Sequence, residues 1–408
     1  MNAKGTPDRS GDAQRGFSLI EIMVGVVIGL IAVLVIYQVY TVAEGFKRNT
    51  TAAGEAQMNG LFSSFVLGLE IGNGGAAIAV SAQDLASCAD PTTFPASDPR
   101  HFAESFRPIP VMIYDGGGAS TPDSFVVNYS IATTMAKPVL FNTNAAPGAP
   151  TYDIQSPGGF HKGDLIVGIA NPAGTNGLCG SSKVTADPGL ITVPPTCDPN
   201  DPTKSVNCLA NVTITHTGTN ISFTGTGLIG SSTLFNLGPA DRAQKIRYSV
   251  TNGVLYSTPL LDSNGAPAVL PGNPLASNVV NMKVEYGIDG TPDPKGLLDT
   301  WVQASALGWD PASLLPAPVT KINQIKAIRI GIIVQSEQFD KNLAGFTGGD
   351  YTNGDYNWVL FDCADVNKAN CPGRLTGSVP ASASPPGNWR FRKYETVIPL
   401  RNEIWNKS

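Results

Sequence analysis

The sequence is poor in charged residues and lacks the residue clusters that enzymes use. Only 14% of its 408 residues are Asp, Glu, Lys or Arg, whereas typical soluble domains contain about a quarter. The three histidines lie far apart, and there is no Gly-x-Ser-x-Gly, His-Glu-x-x-His or Walker motif. We therefore predict no catalytic site and no cofactor. The net charge of −5 provides no basic surface for nucleic acid.

The chain also lacks a Cys-x-x-Cys pair, and no histidine stands close to a cysteine, so a zinc site is not predicted. The cysteines are Cys88, Cys179, Cys197, Cys208, Cys363 and Cys371. An even number in loop-like sequence favours three disulfides formed in an oxidising compartment. Cys363 and Cys371 would close the shortest loop, and Cys197–Cys208 and Cys88–Cys179 would remain. The sequence leaves all fifteen connectivities open.

Glycine and proline are abundant, with 44 and 32 residues, which favours turn-rich β structure outside the cell. The predicted strands are Val111–Tyr114, Ser124–Ile131, Asp164–Ala170, Asn211–His216, Asn220–Phe223, Lys245–Thr251, Val254–Ser257, Val279–Tyr286, Ala327–Gln335 and Trp389–Leu400. Asn252-Gly253 predicts a type I′ hairpin turn. An apolar phase shift between Phe391 and Tyr394 predicts a β-bulge. Leu261–Ser277 and Ser378–Gly387 are predicted loops.

The longest apolar segment lies near the N-terminus, from Phe17 to about Ala43. It is long enough to span a bilayer as a helix. Arg9 and Arg15 precede it, which predicts a cytoplasmic N-terminus. Glu21 is its one carboxylate, and an ionised side chain at that depth costs several kcal/mol unless it is neutralised.

A cut after Gly16 would explain this acid. Phe17 would then carry a new ammonium one helical turn before Glu21, on the same helix face and in a medium of low dielectric constant. Arg15-Gly16-Phe17-Ser18-Leu19-Ile20-Glu21, followed by the apolar run, closely resembles the class III leader of type IV pilins. The resemblance implies that prepilin peptidase cuts after Gly16 and N-methylates Phe17. It also implies that Glu21 pairs with the amine of a neighbouring pilin during assembly.

A rival interpretation is a secretory signal peptide that is cleaved after Thr41-Val42-Ala43, which would release a soluble periplasmic protein. Its apolar region would be unusually long and would carry Glu21 at its edge.

Beyond the apolar segment, the pattern becomes amphipathic. The apolar positions at helical spacing are Met58, Leu61, Phe62, Phe65 and Leu69. We predict one continuous helix from Phe17 to about Ile71, whose second half packs this stripe onto the following domain. Gly72-Asn73-Gly74-Gly75 would end it.

The predicted fold is α+β and pilin-like, with a long N-terminal helix on a large antiparallel β-rich domain with disulfide-stapled loops. The predicted divisions are a leader at 1–16, a transmembrane half-helix at 17–43, an amphipathic half-helix at 44–72 and an extracytoplasmic globular domain at 73–408.

Short motifs between residues 163 and 402 look like those of the PilW family of minor pilins. They are Gly163–Val167, Ile246-Arg247-Tyr248, Val284–Gly287, Ile328–Ile332 and Thr396–Asn402. The resemblance implies a minor pilin that helps initiate fibre assembly at or near the tip. Its partners would be other pilins, prepilin peptidase and the pilus assembly platform. It would reside in the bacterial inner membrane before assembly, and then in the fibre from periplasm to cell surface.

Two other functions share these features. The leader also occurs in minor pseudopilins of type II secretion systems, and the PilW-like strands favour the pilus. The Pro-rich insertion Val184–Leu209 is predicted as a candidate adhesin or binding module, a function that is compatible with a minor pilin. Asp350, Asn353 and Asp355 in a Gly-rich loop are weak calcium candidates, because calcium requires six to eight oxygens and Asp/Asn/Gly clusters more often form turns.

Overall fold

The structure is a computed structural model of the chain. It describes residues 16–76, 109–130, 139–155, 159–170, 178–189, 212–218, 232–263, 268, 270–290, 298–314, 319–337, 350–352, 355–361, 375–380 and 389–400. Two compact units make up the chain, residues 1–54 and residues 55–408.

The longest element is helix α1, Leu19–Asn73. Among the described residues it is the one helix long and apolar enough to cross a membrane, judged by length and composition. The predicted continuous helix is thus confirmed, with its first and last residues each two positions later than expected. The glycine-rich stop is also confirmed, because the Gly74 N–H donates to the Ile71 carbonyl at 2.9 Å and Gly75 adopts a φ of 78°. Glycine adopts this left-handed conformation without steric cost.

The second unit consists mainly of strands, with two short helices, α2 (Pro311–Leu314) and α3 (Val319–Ile322). The strands are β1 (Val111–Tyr114), β2 (Ser124–Tyr129), β3 (Val139–Leu140), β4 (Thr151–Ile154), β5 (Asp164–Ala170), β6 (Leu178–Lys183), β7 (Val212–Thr215), β8 (Thr233–Pro239), β9 (Gln244–Thr251), β10 (Val254–Pro259), β11 (Asn273–Ser277), β12 (Val279–Ile288), β13 (Thr300–Gln303), β14 (Ile325–Gln335), β15 (Asp350–Thr352), β16 (Asp355–Leu360), β17 (Leu375–Pro380) and β18 (Phe391–Pro399).

Every strand pair in the described residues is antiparallel, as predicted. A five-stranded sheet has the order β1-β2-β9-β10-β11, and a four-stranded sheet, here called the central sheet, has the order β13-β12-β14-β18. The remaining sheets have the orders β3-β8-β5-β6, β4-β7 and β15-β16-β17. The large antiparallel β-rich domain of the predicted fold is therefore confirmed.

The largest core lies between the second half of α1, the five-stranded sheet and one face of the central sheet. Leu67 and Ile71 of the helix are fully buried in it with Phe125 and Tyr286. The Tyr286 hydroxyl accepts a hydrogen bond from the Ile113 N–H at 2.6 Å, which links the central sheet to β1. A separate core around Phe141 contains apolar residues from the sheet β3-β8-β5-β6 and from the sheet β4-β7.

The other face of the central sheet is covered by the three-stranded sheet β15-β16-β17. Trp358 of β16 contacts Phe391 of β18 with ring centroids 5.0 Å apart, and both pack with Ile333. The side chain of Leu360 lies so close to Gly331 that a Cβ at that position would be 2.8 Å from it. The central sheet is therefore buried on both faces over part of its area.

The bulge predicted in β18 is wrong, and the burial of both faces of the central sheet explains the error. The pairing of β18 with β14 runs without a register shift from Pro399 opposite Ala327 to Phe391 opposite Gln335. Phe391 faces the three-stranded sheet, whereas Tyr394 faces the largest core. Apolar residues of opposite parity are thus both covered, and no extra residue is needed.

The hairpin at Asn252-Gly253 is confirmed, since both residues have positive φ and Thr251 pairs with Val254. The loop prediction for Leu261–Ser277 is wrong at its end, because β11 pairs with β10 there. The loop prediction for Ser378–Gly387 is likewise wrong at its start, where β17 continues to Pro380. The predicted strand Asn220–Phe223 lies outside the described residues.

Candidate functional site

The predicted processing motif, which the structure describes from Gly16 to Glu21, lies at the start of α1. Gly16, Phe17 and Ser18 precede the helix, and the Ser18 carbonyl accepts from the N–H groups of Glu21 and Ile22 at 3.0 and 3.1 Å. Glu21 therefore lies in the first turn, four residues after Phe17. The Gly16–Phe17 bond lies outside the helix, where backbone hydrogen bonds of the helix do not shield it.

The large apolar side chains of the first unit are exposed throughout its helical part. Phe17 is 78% exposed, and every large apolar residue from Leu19 to Val42 is at least half exposed. A side-chain surface of this kind needs lipid or another protein to cover it.

The second half of α1 has two faces, and the prediction assigned them the wrong way round. The predicted core stripe of Met58, Leu61, Phe62, Phe65 and Leu69 is exposed, with Phe65 at 70%. This set of residues is here called the exposed stripe. The buried face instead consists of Ala56, Gly60, Ser63, Leu67 and Ile71.

Small residues form the buried face because the β-rich part of the second unit approaches the helix backbone closely. A Cβ at Gly60 would overlap the ring of Tyr394 from β18. The Asn59 amide also donates to the Ser277 hydroxyl at 3.3 Å. The sequence shows these small residues at helical spacing. A prediction of the buried face from hydrophobicity nevertheless selects the larger apolar side chains instead.

Glu70, near the end of α1, forms a further contact between the helix and the strands. The Tyr129 hydroxyl of β2 donates to Glu70 Oε2 at 2.9 Å. Burial and the neighbouring Glu70 carboxylate both raise the pKa of Tyr129. The phenol therefore stays protonated and remains a donor to the helix at all physiological pH values.

Charged residues lie buried on the face of the central sheet that points away from the largest core. Lys283 of β12 lies 2.8 Å from Asp123 Oδ1, and both side chains are more than nine-tenths buried. The same ammonium donates to the carbonyls of Gly118 and Thr121. Lys283 thus fixes the loop between β1 and β2 onto the central sheet, a role that sequence analysis did not detect.

A second buried pair lies two residues further along β12. Arg329 Nη2 is 2.5 Å from Glu285 Oε2, and the guanidinium lies 4.5 Å from the ring centroid of Trp301 and 4.2 Å from that of Phe361. Burial raises the pKa of Glu285 to about 7, although Arg329 opposes the shift. We interpret these contacts as structural, because Arg329 is paired with Glu285 and enclosed by the two aromatic rings.

The buried histidine of the small sheets is also structural. His216 Nδ1 accepts from the Gly218 N–H at 2.9 Å and lies 3.0 Å from the Ser182 hydroxyl, and the imidazole stacks on Tyr152 at 3.6 Å. Nε2 is buried and has no hydrogen-bond partner within the described ranges. Burial lowers the pKa of His216 to about 4.

We expect His216 to make stability depend on pH. The folded state keeps the imidazole neutral, whereas the unfolded chain protonates it below about pH 6.5, so stability falls as pH decreases from about 6.5 to about 4. The total loss is on the order of 3 kcal/mol. Thermal unfolding of His216→Gln should lose this part of the pH dependence. His161→Gln, at a histidine with an exposed side chain, is the matched control, and an equal change in both variants would contradict the assignment.

The remaining predicted site residues are not tested by the structure. Cys179 lies on β6, but its side chain and the other five cysteines lie outside the described residues. The disulfides therefore stay predictions. Asp350 and Asp355 lie on β15 and β16, whose pairing joins Thr352 to Asp355. Their side chains and Asn353 also lie outside the described residues, so calcium binding remains a prediction.

Comparisons with known families agree with the geometry at both ends of the chain. Residues 12–37 match the prokaryotic N-terminal methylation motif, and residues 247–402 match the family of type IV pilus-assembly protein W. The first match contains the processing motif and the start of α1, and the second contains the central sheet. No curated protein matches the chain. Together, the two family matches support a pilin of the PilW family with a class III prepilin motif.

Proposed function

We propose that the chain is a minor pilin that is incorporated at or near the tip of a type IV pilus and helps to initiate assembly. In this proposal, prepilin peptidase removes residues 1–16 and methylates Phe17. Residues 17–43 hold the protein in the inner membrane, and residues 44–72 continue as the amphipathic half of the helix. The globular domain at 73–408 lies outside the cytoplasm, in the oxidising compartment that the predicted disulfides require.

The observation that carries the proposal is the exposed stripe of α1. The second unit buries the small-residue face of the helix and leaves five large apolar side chains facing outward. Exposed apolar side chains at helical spacing are the contacts that a neighbouring helix would bury. The helix is thus attached to its own domain through one face and available to other pilins through the opposite face.

The size of the globular domain supports a position at the tip. A repeating helical lattice requires every subunit to fit between identical neighbours above and below it. A subunit at the end of the fibre has neighbours on one side only, so a large domain is accommodated more easily there. The partners would be other pilins through α1, prepilin peptidase and the assembly platform.

The exposed stripe provides the test. In a strain lacking this chain, complementation with a Phe62→Ser, Phe65→Ser double variant should yield at least tenfold fewer surface pili than the wild type, as counted by electron microscopy. Burying one such aromatic side chain contributes about 1.5–3 kcal/mol, and each 1.4 kcal/mol is tenfold in an association constant. Leu307→Ser is the matched control, because Leu307 is 99% exposed and lies in the turn after β13, outside α1.

Normal piliation in the double variant would overturn the proposed role of the stripe. The same strains distinguish the secretion alternative. Loss of pili and twitching with normal protein secretion supports the pilus, whereas normal pili with a failure of type II secretion assigns the chain to the secretion fibre.

A further inference from the structure

A cavity of about 760 Å³ opens between the β1–β2 loop and the turn that follows β13. Its apolar lining consists of Tyr114, Pro122, Ala304, Pro311 and Ala312. The volume lies within the range of small-molecule sites, which combine apolar walls with a few polar groups. No residue of the processing motif or of the exposed stripe lines it.

Arg247 is the cation of this cavity. It lies on β9 opposite Val126 of β2 and Thr258 of β10, on the sheet face that points away from the largest core. Its Nη2 donates to the Ser124 hydroxyl at a long distance of 3.4 Å. Its Nε is buried and has no hydrogen-bond acceptor among the residues that the structure describes. Arg247 also takes part in none of the ion pairs among the described residues.

The carboxylates at the cavity are held by their own loops. Asp115 Oδ1 accepts from the Gly117 N–H at 2.6 Å. Asp310 accepts from both the N–H and the hydroxyl of Ser313, and these hydrogen bonds lower its pKa. Neither aspartate neutralises Arg247. Their negative charges at the cavity also oppose the entry of a multiply charged anion.

A buried donor without an acceptor is rare in proteins, because leaving it unpaired costs free energy. The planar guanidinium fork matches the two oxygens of a carboxylate, and this pairing gains further strength when both groups are shielded from water. The adjacent Ser124 and Ser305 hydroxyls could donate to the same anion. The apolar walls suit an uncharged, hydrophobic body.

We propose that this cavity binds a monocarboxylate with an apolar body, and that Arg247 binds the carboxylate. The ligand is either a free organic acid or the C-terminal carboxylate of a peptide, which present the same chemistry to Arg247. The site would bind its ligand whether the chain belongs to a pilus or to a secretion fibre, because it shares no residue with the exposed stripe.

The experiment uses the full chain in phospholipid nanodiscs and isothermal titration calorimetry. The probes are hydrocinnamate, its uncharged amide, N-acetyl-leucyl-phenylalanine with a free carboxylate, and inorganic phosphate. We expect at least one of the two carboxylates to bind at least tenfold more tightly than the amide and phosphate. The tighter of the two carboxylates distinguishes a free acid from a peptide terminus.

Arg247→Gln should weaken carboxylate binding at least tenfold. Arg242→Gln, at an exposed arginine that pairs with Asp241, is the matched control and should bind as the wild type does. If Arg247→Gln fails to fold, Arg247→Lys keeps the charge without the fork and should also bind more weakly. Ala312→Trp, at an exposed position of the lining, should block the cavity while leaving the fold intact.

Three results would overturn the proposal. They are equal binding of hydrocinnamate and its amide, unchanged affinity in both Arg247→Gln and Ala312→Trp, and no binding of any carboxylate probe by the folded wild-type chain at millimolar concentration.

Discussion

Replacement of Glu21 by valine should leave the protein in the membrane but reduce surface pili at least tenfold. The substitution makes the apolar segment more apolar, so insertion is not impaired. In the proposed charge pairing, the variant loses the partner of the Phe17 ammonium of a neighbouring pilin. A charge in the bilayer core costs about 2.5–3.5 kcal/mol on insertion scales, and an unpaired ammonium would carry this cost during assembly. Each 1.4 kcal/mol corresponds to a tenfold change in the association constant.

Glu44→Val is the matched control for this prediction. Glu44 lies on the same helix outside the apolar run and pairs with Arg48 at 3.4 Å on an exposed surface, where such a pair contributes 0–1 kcal/mol. Intact mass should show a terminus at methylated Phe17 in both variants, because the cut bond lies outside the helix. Normal piliation in Glu21→Val would refute charge pairing. A terminus at Glu44 in the wild type would instead mean a cleaved signal peptide, and the fibre proposal would then fail.

The second large effect is expected at the buried ion pair of the central sheet. Lys283→Met should lower the free energy of unfolding by about 3–5 kcal/mol, because Asp123 would stay buried and lose its counter-charge. Asp123 would keep the hydrogen bonds from the N–H groups of Gly116 and Val284. These bonds do not replace the ammonium, and the carbonyls of Gly118 and Thr121 would also lose their donor.

Lys393→Met provides the comparison, since Lys393 pairs with Glu395 at 2.9 Å on the same face of the sheet but with 40% of its side chain exposed. This variant should lose no more than about 1 kcal/mol. Denaturant unfolding of the full chain in detergent measures both free energies of unfolding.

Burial already raises the pKa of Asp123, and Lys283 opposes that shift. The cost of Lys283→Met should therefore shrink as pH falls and Asp123 takes up a proton. Equal losses in the free energy of unfolding of the two variants would show that the Lys283–Asp123 pair stabilises the fold no more than an exposed pair does.

Several elements follow from local sequence. The Asn252-Gly253 turn is determined by two residues that tolerate positive φ, and the glycine-rich end of α1 has the same cause. Strands β1 and β5 were predicted with the bounds observed. In both regions, apolar residues alternate or cluster between turn-forming residues, and this local pattern predicts a strand.

Other elements depend on neighbours that are distant in sequence. In β12, Asn281, Lys283 and Glu285 alternate with apolar residues, which is typical of a strand with one face in water. The structure buries all three because the β1–β2 loop and the three-stranded sheet cover that face. Nothing in β12 itself indicates that cover. The same three-stranded sheet also explains the wrong bulge prediction in β18. Both faces of that strand are covered, so apolar residues occur at odd and at even positions as they would around a bulge.

The sequence by itself determined the N-terminal methylation motif, the long apolar segment, the continuous helix and the antiparallel β-rich class of the domain. These depend on local composition and on spacing along one element. The tertiary structure decided which face of α1 the domain covers and which charges are buried. It also decided that Arg247 has no carboxylate partner within the described part of the chain. The choice between the two helix faces depends on how closely the domain approaches the backbone. At Gly60 the approach of Tyr394 leaves no room for a larger side chain, so the small residues turn inward and the large apolar residues remain exposed.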